Sequence, residues 1–266
     1  MKVKQLSHSH ETSDRIVEIK GSEIPEINLM DHLKPAETLL ERTSEYFFSS
    51  ERFSANAPFK GFLIHGPVGI GKTELVRQVA RKVAVKLEGK ADVRLIPVDS
   101  SIVASPKWGE SEQVFQTLFS YVKNMHHTAN NPKIILLFDD IESLLLARGM
   151  SAAREWHYSL NAVFFHLVDS MNPFESMVFA TTNRVDLMDA AVTTRLYSVP
   201  LSNVPLKELI RYTSGMLESM LGPGPKKDVV LEVVGEKLKT IDKPTIRDCR
   251  QLAIISCIEK GVLSDA

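Results

Sequence analysis

Residues 65–76, HGPVGIGKTELV, set three glycines, a lysine and a threonine between an apolar run and an amphipathic one. The stretch is too polar for a strand and too rich in glycine to begin a helix. Gly66-Pro67-Val68-Gly69-Ile70-Gly71-Lys72-Thr73 fits the pattern G-x-x-x-x-G-K-[ST] in full. The glycines let the main chain curl so that successive N–H groups converge on one point. The helix that follows directs its positive end at the same point. Lys72 then reaches the outer phosphates of a nucleoside triphosphate, and the Thr73 hydroxyl ligates Mg²⁺. The expected nucleotide-binding segment is Gly66, Pro67, Val68, Gly69, Ile70, Gly71, Lys72, Thr73 and Glu74.

The flanking pattern supplies the scaffold. GFLIH (61–65), VRLIPV (93–98), IILLF (134–138), MVFAT (177–181) and LYSVPL (196–201) read as strands. IILLF is the most apolar, as a central strand covered on both faces should be. Between the first two, Leu75, Val76, Val79, Ala80, Val83 and Leu87 share one helical face. Five strands alternating with helices predict an α/β fold: a five-stranded parallel sheet flanked by helices. A further helix is expected from Pro35, with Leu39, Leu40, Thr43, Tyr46 and Phe47 at helical spacing. Before it, RIVEIK (15–20) reads as a short edge strand, and the rest of 1–34 as an arm or loosely packed extension. After about residue 203 the character becomes helical. A Gly-Pro-Gly-Pro break falls at 222–225, and two last helices are expected near 229–239 and 245–260. The expected organisation is an arm (1–34), a large α/β nucleotide-binding domain (35–202) and a small helical lid (203–266).

Two acids end the central strand in ILLFDDIESL (135–144). Carboxylates at the carboxyl edge of an open α/β sheet stand where such sheets bind ligands. Asp139 is placed to hold Mg²⁺ with Thr73, and Asp140 to orient or deprotonate an attacking water. The fourth strand ends in FATTNR (179–184), whose Thr182 and Asn183 offer neutral hydrogen-bonding groups to the same water.

Composition excludes several alternatives. A formal net charge of -1 gives no general pull toward nucleic acid or anionic membrane. Arg77, Arg81, Lys82 and Lys86 therefore read as a solvated helix face. Cys249 and Cys257 lie eight apart on one expected helix, roughly 12 Å by rise, too far for a disulfide. They read as reduced, largely buried thiols, which fits a reducing compartment. No apolar run approaches 18 residues, and MKVKQLSHSHETSD lacks a signal peptide's apolar stretch. A soluble, cytoplasmic protein is expected. His8, His10, His126 and His127 read as solvated and form no metal site.

Taken together, these elements in this order resemble the AAA+ ATPases over about residues 35–262. The resemblance implies ATP and Mg²⁺ as cofactors and ATP hydrolysis as the reaction. Residues 66–73 are similar to Walker A and 135–140 to Walker B. Asn183 is similar to sensor 1, and Arg247 in TIRDCRQLA (245–253) to the sensor 2 arginine. Arg195, in DLMDAAVTTRLYSVPL, falls where the family carries an arginine finger that serves the neighbouring subunit's nucleotide. It thus implies a ring, usually a homohexamer. Lys107, Trp108 and Gly109 resemble the pore loop whose aromatic grips a threaded polypeptide. Trp156 borders a second such loop, where core packing and pore exposure both stay open.

FDDIESLLLAR, SLNAVFFHLVDSM and FATTNRVDLMDAAVTTR resemble more narrowly the pachytene-checkpoint type of remodeler, which acts on HORMA-domain proteins. The short segment before the first helix fits compact bacterial relatives encoded with nucleotidyltransferases in cyclic-oligonucleotide anti-phage systems. The implied function is ATP-driven remodelling of a HORMA-domain client through a hexamer pore, without membrane or nucleic acid. A departure from the family is Asp140, which stands where a glutamate is usual and has about 1.5 Å less reach. Glu142, two residues on, is a weaker candidate for the same role. A DNA-associated loader or transposition helper, and a slow nucleotide-gated scaffold, are the alternatives.

Overall fold

The computed structural model describes residues 16–52, 56–98, 110–128, 130–147 and 155–262. In chain order the elements are β1 (Ile19–Lys20), α1 (Lys34–Ser49), β2 (Gly61–His65), α2 (Lys72–Lys86), β3 (Val93–Val98), α3 (Glu110–Met125) and β4 (Lys133–Phe138). There follow α4 (Glu155–Asp169), β5 (Ser176–Thr182), α5 (Ala190–Arg195), β6 (Tyr197–Pro200), α6 (Leu206–Leu221), α7 (Pro225–Thr240) and α8 (Ile246–Glu259).

The strands form one sheet in the order β1-β3-β4-β5-β2-β6. The five expected strands are all present and pair in parallel. The expected count of five is corrected to six, because RIVEIK adds an antiparallel edge. There Ile19 faces Leu95 and Lys20 faces Arg94. Side chains hold this short ribbon: Glu18 pairs with Arg94 and accepts from the Tyr121 hydroxyl.

Every residue of β4 and β5 is buried, as strands covered on both faces require. Alternation divides their side chains between two cores. Ile135, Leu137, Met177 and Phe179 join the helices α1 and α2. Ile134, Leu136, Phe138 and Val178 face α3 and α4. On the second side Phe138 and Phe164 meet edge-on at 5.5 Å between ring centres.

Three sequence expectations change in the structure. The described part of the arm is packed, not loose: Ile24 and Leu33 are buried. Gly21 lies so close to α2 that a Cβ there would stand 2.6 Å from the Ala84 Cβ. The apolar residues that anchor this segment follow no period, so the sequence pattern did not reveal them. Helix α1 buries Ala36, Leu40, Ser44, Phe47 and Phe48, while Leu39 and Tyr46 face outward at 42% and 44% exposure. The helix turns to seat Phe48 as well as Phe47. His126, expected to be solvated, has both ring nitrogens shielded from solvent, and burial pushes its pKa down.

At the C-terminal end, Gly222 (φ 72°) and Gly224 (φ 143°) form the break after α6, and Pro225 opens α7. Helices α6, α7 and α8 bury Leu209, Leu217, Val234, Leu238 and Ala253 in a core continuous with that of α1 and α2. This continuity brings the start of α8 against the glycine-rich loop. No described helix is long and apolar enough to cross a membrane.

Cys249 and Cys257 are free and fully buried, and burial pushes both thiols up. Native protein at pH 8 should therefore leave a thiol reagent such as Ellman's almost unconsumed, with two equivalents reacting on unfolding in guanidinium. Rapid titration of either thiol in the native state would contradict this packing.

Candidate active site

The glycine-rich loop begins where β2 ends. Gly66 (φ 156°), Gly69 (φ 73°) and Gly71 (φ 99°) take backbone angles that L side chains rarely adopt. A Cβ on Gly66 would lie 2.5 Å from the Leu201 carbonyl oxygen, so the loop's first residue admits no side chain. Ile70 points inward and is 1% exposed, which pins the loop to the core. Gly71 precedes α2, and the helix's first-turn amides face the loop's interior.

Four polar groups converge beside the loop. The Lys72 ammonium donates to the carbonyls of Gly66 (3.0 Å) and Pro67 (2.8 Å) and to Asn183 Oδ1. Burial holds its pKa below the ordinary lysine range, opposed by Asp140, Glu142 and Asp139. Asn183 then donates through Nδ2 to Asp140 Oδ1 at 2.8 Å. Its own main-chain N–H donates to Glu142 Oε1 at 3.1 Å. Asn183 thus links the lysine to the carboxylate that sequence reasoning assigned to water activation. Burial, followed by repulsion from Asp139 and Glu142, pushes the Asp140 carboxyl above the usual carboxylate range.

The Thr73 hydroxyl lies 2.9 and 3.0 Å from the two carboxylate oxygens of Asp139. A hydroxyl and a carboxylate side by side are hard oxygen donors, the set that Mg²⁺ takes alongside phosphate oxygens and water. The glycine cradle, the lysine and this oxygen pair fit a Mg²⁺–triphosphate. When bound, that group would supply a polarised terminal phosphorus to an attacking water.

Thr181 was missed by sequence reasoning. Its buried hydroxyl donates to Asp139 and accepts the Asp140 N–H at 3.1 Å. Asp140 needs that partner because it sits in the left-handed region (φ 49°), outside the strand ladder. Thr182, the neighbour expected to face the water, instead accepts the Arg184 N–H at 3.0 Å. Successive strand residues face opposite ways, so only one threonine of the pair reaches the acids.

Lys72, Thr73, Asp139, Asp140 and Asn183 line a cavity of about 550 Å³, within the usual range for small-ligand sites. The lining also includes apolar side chains: Ile27, Leu29, Met30, Leu33, Tyr212 and Ile246. None of these was expected to bind nucleotide. The arm residues lie in an irregular segment with no period to detect, and Tyr212 is one aromatic in an otherwise ordinary helix. Arg247 reaches the cavity from the first turn of α8, together with Arg250. Arg250 donates to the Tyr212 hydroxyl at 2.6 Å. A capping box of Thr245 and Asp248 fixes the start of α8. A Cβ on Gly69 would stand 3.2 Å from Thr245, so this helix packs directly on the glycine-rich loop. Val68 and Glu74 also line the cavity, and Glu74 accepts from Gln78.

Arg195 is elsewhere. Its carbonyl accepts the Lys60 N–H (2.7 Å) at the amino end of β2, opposite the end that carries the loop. Its guanidinium makes a two-pronged pair with Asp169 (2.8 and 2.7 Å) and stacks 4.7 Å from the Phe165 ring centre. It is not among the residues that line this chain's cavity. Lys107, Trp108 and Gly109 lie outside the described residues, as does the Trp156 side chain.

The family model for the ATPase family associated with various cellular activities (AAA) matches residues 62–201, just over half of the chain. The chain belongs to the AAA family. Among curated AAA relatives, the Cell division control protein 48 homolog B of Arabidopsis thaliana is 34% identical over 137 residues, 50% of this chain and 21% of its own length. An "AAA ATPase forming ring-shaped complexes" from Bifidobacterium adolescentis is 28% identical over 53% of this chain and 27% of its own. The chain thus spans only about a quarter of the length of these relatives. Two solved structures share the fold. A chain of the E. coli MS115-1 HORMA:CdnC:Trip13 complex superimposes with a TM-score of 0.74 at 18% identity, over 95% of this chain and 92% of that one. The FIGL-1 AAA domain in complex with ADP gives 0.63 at 20% identity, over 94% and 92%.

Thr181→Val keeps the shape of the strand but removes the hydroxyl that donates to the Asp139 carboxylate and accepts the Asp140 main-chain N–H. Stability should fall by about 1–3 kcal/mol, and the Mg²⁺ concentration needed for half-maximal ATP turnover should rise. A denaturant melt and a Mg²⁺ titration check the two effects, and unchanged behaviour in both would contradict the assigned role.

Proposed function

We propose that the AAA domain binds Mg²⁺–ATP in this cavity and hydrolyses it. Thr73 and Asp139 hold the metal, Lys72 holds the outer phosphates and Arg247 closes on them from α8. Asn183 positions the water that Asp140 deprotonates. The observation that carries the reading is the Lys72–Asn183–Asp140 chain of hydrogen bonds beside the glycine cradle. It joins the lysine that would hold the phosphates to the carboxylate beside the proposed metal site.

We further infer that the domain works in a homohexameric ring. A curated relative is named for ring-shaped complexes, and Arg195 stands away from its own chain's cavity. Within its own chain it pairs with Asp169 and stacks on Phe165, contacts that a neighbour's triphosphate would replace. The ring would spend the hydrolysis on remodelling a protein client, with Trp108 gripping the chain in the pore. A HORMA-domain client is supported by the run of motifs from residue 138 to 195. The fold shared with a chain of a HORMA:CdnC:Trip13 complex supports it as well. A role beside cyclic-oligonucleotide anti-phage signalling rests on the same likeness. The short reach of Asp140 favours a second reading, a slow nucleotide-gated scaffold.

Phosphate release tests the assignment. Lys72→Ala should abolish Mg²⁺-dependent turnover. Arg195→Ala should retain ATP binding and lose about 10³-fold or more in turnover. Mixing Arg195→Ala with Asp140→Asn subunits should restore part of the activity, because each supplies what the other lacks. A mixture as inactive as its components would exclude action between subunits.

A further inference from the structure

Part of the cavity's apolar lining is built by a segment without regular secondary structure. Residues 25–30 form no helix or strand, yet Ile27, Leu29 and Met30 line the cavity. At the downstream end, the Leu33 N–H donates to the Met30 carbonyl at 3.0 Å, and His32 meets Glu208 of α6 at 3.2 Å. At the upstream end two side chains of α2 hold it: Arg81 pairs with Glu26 at 2.9 Å on the solvent side, and Gln78 bonds the main chain from the core side. Gln78 Nε2 donates to the Pro25 carbonyl at 2.9 Å, and Gln78 Oε1 accepts the Ile27 N–H at 3.2 Å. The second amide hydrogen goes to Glu74 Oε1 at 2.7 Å, one helical turn back.

Gln78 is 1% exposed and stands among Leu75, Val79 and other fully buried residues of α2. A carboxamide placed in such a core is costly unless all its hydrogen-bonding capacity is used. Here both donors and the acceptor are used, and two of the three bonds go to the main chain of the segment. No residue of the nucleotide-binding motif accounts for it. The same helix begins with Lys72 and Thr73 beside the glycine-rich loop, and Gln78 lies five positions after Thr73, about 7.5 Å of rise. Helix α2 therefore links the phosphate loop to the segment that carries Ile27, Leu29 and Met30.

We propose that Gln78 is a positioning residue for the nucleobase, fixing residues 25–27 to α2 so that Ile27, Leu29 and Met30 form the base-binding wall. The inference rests on the reading of the cavity as a nucleotide site and deepens it. Gln78 makes no hydrogen bond to Lys72, Thr73, Asp139, Asp140 or Asn183, and its one hydrogen bond toward the loop is to Glu74, so its contribution falls on binding of the base and leaves the chemical step alone.

The test compares Mg²⁺–ATP with inorganic tripolyphosphate, which has the phosphates and lacks the base. Binding of both is measured by calorimetry on the wild type, on Gln78→Leu and on Gln78→Glu. Gln78→Glu keeps the acceptor for Ile27 but loses the donor to Pro25 and sets two carboxylates together with Glu74. Each variant should bind ATP about tenfold more weakly or worse, since two buried hydrogen bonds hold the wall. Tripolyphosphate affinity and turnover at saturating ATP should stay within about twofold of wild type. If Gln78→Leu fails to fold, Gln78→Glu with a wild-type-like circular dichroism spectrum gives the same comparison. Unchanged ATP affinity, or equal losses for ATP and tripolyphosphate, would overturn the inference while leaving the nucleotide site intact. A wild type that binds tripolyphosphate no worse than ATP, or neither, would overturn the base-site reading itself.

Discussion

The main chain at Gly66 passes so near the Leu201 carbonyl that no side chain fits between them. That close approach lets the chain leave β2 and curl back into α2 within a few residues, with its amides turned inward. Most other features of the site are arranged around this curl. The parallel order of the sheet sets the carboxyl ends of β2, β4 and β5 side by side. Lys72, Asp139 and Asn183 come from three different connections and still meet. Burial of two strands on both faces fixes the positions of those ends, so a hydrophobic argument explains a polar site.

The electrostatics follow from the same crowding. Three carboxylates, Asp139, Asp140 and Glu142, stand near one buried ammonium. Each lowers the cost of keeping Lys72 charged, while burial, with Asp139 and Glu142, raises the cost of keeping Asp140 charged. The protein relieves this with directed hydrogen bonds from Thr73, Thr181 and Asn183. A cation bound between Thr73 and Asp139 would relieve it further, which gives the metal a reason to bind with the nucleotide.

Much of this was legible in the sequence. The glycine-lysine-threonine pattern, the paired aspartates after an apolar run and the asparagine after the next strand are local signals, and the structure brings all three together. Strand positions were readable because buried parallel strands are short, continuous apolar runs. What escaped notice depends on distant partners or has no period. Residues 19–33 look polar, and only the spatial arrangement shows Ile24 and Leu33 entering the core. The two threonines of FATTNR are equivalent on paper. Strand alternation gives Thr181 to the acids and Thr182 to a turn, and the register that decides this comes from the pairing of β5 with β4. Gln78 reads as one polar residue on a helix and becomes meaningful only when Pro25 and Ile27 are found opposite it.

The central claim is that the main-chain amides of residues 66–73 enclose the phosphates of ATP. A crystal structure grown with Mg²⁺ and a non-hydrolysable ATP analogue addresses it directly. The account predicts the β- and γ-phosphates inside the curl, the metal against Thr73 and the base beside Ile27 and Tyr212. A folded protein at saturating analogue with the nucleotide bound elsewhere, or not at all, would contradict it.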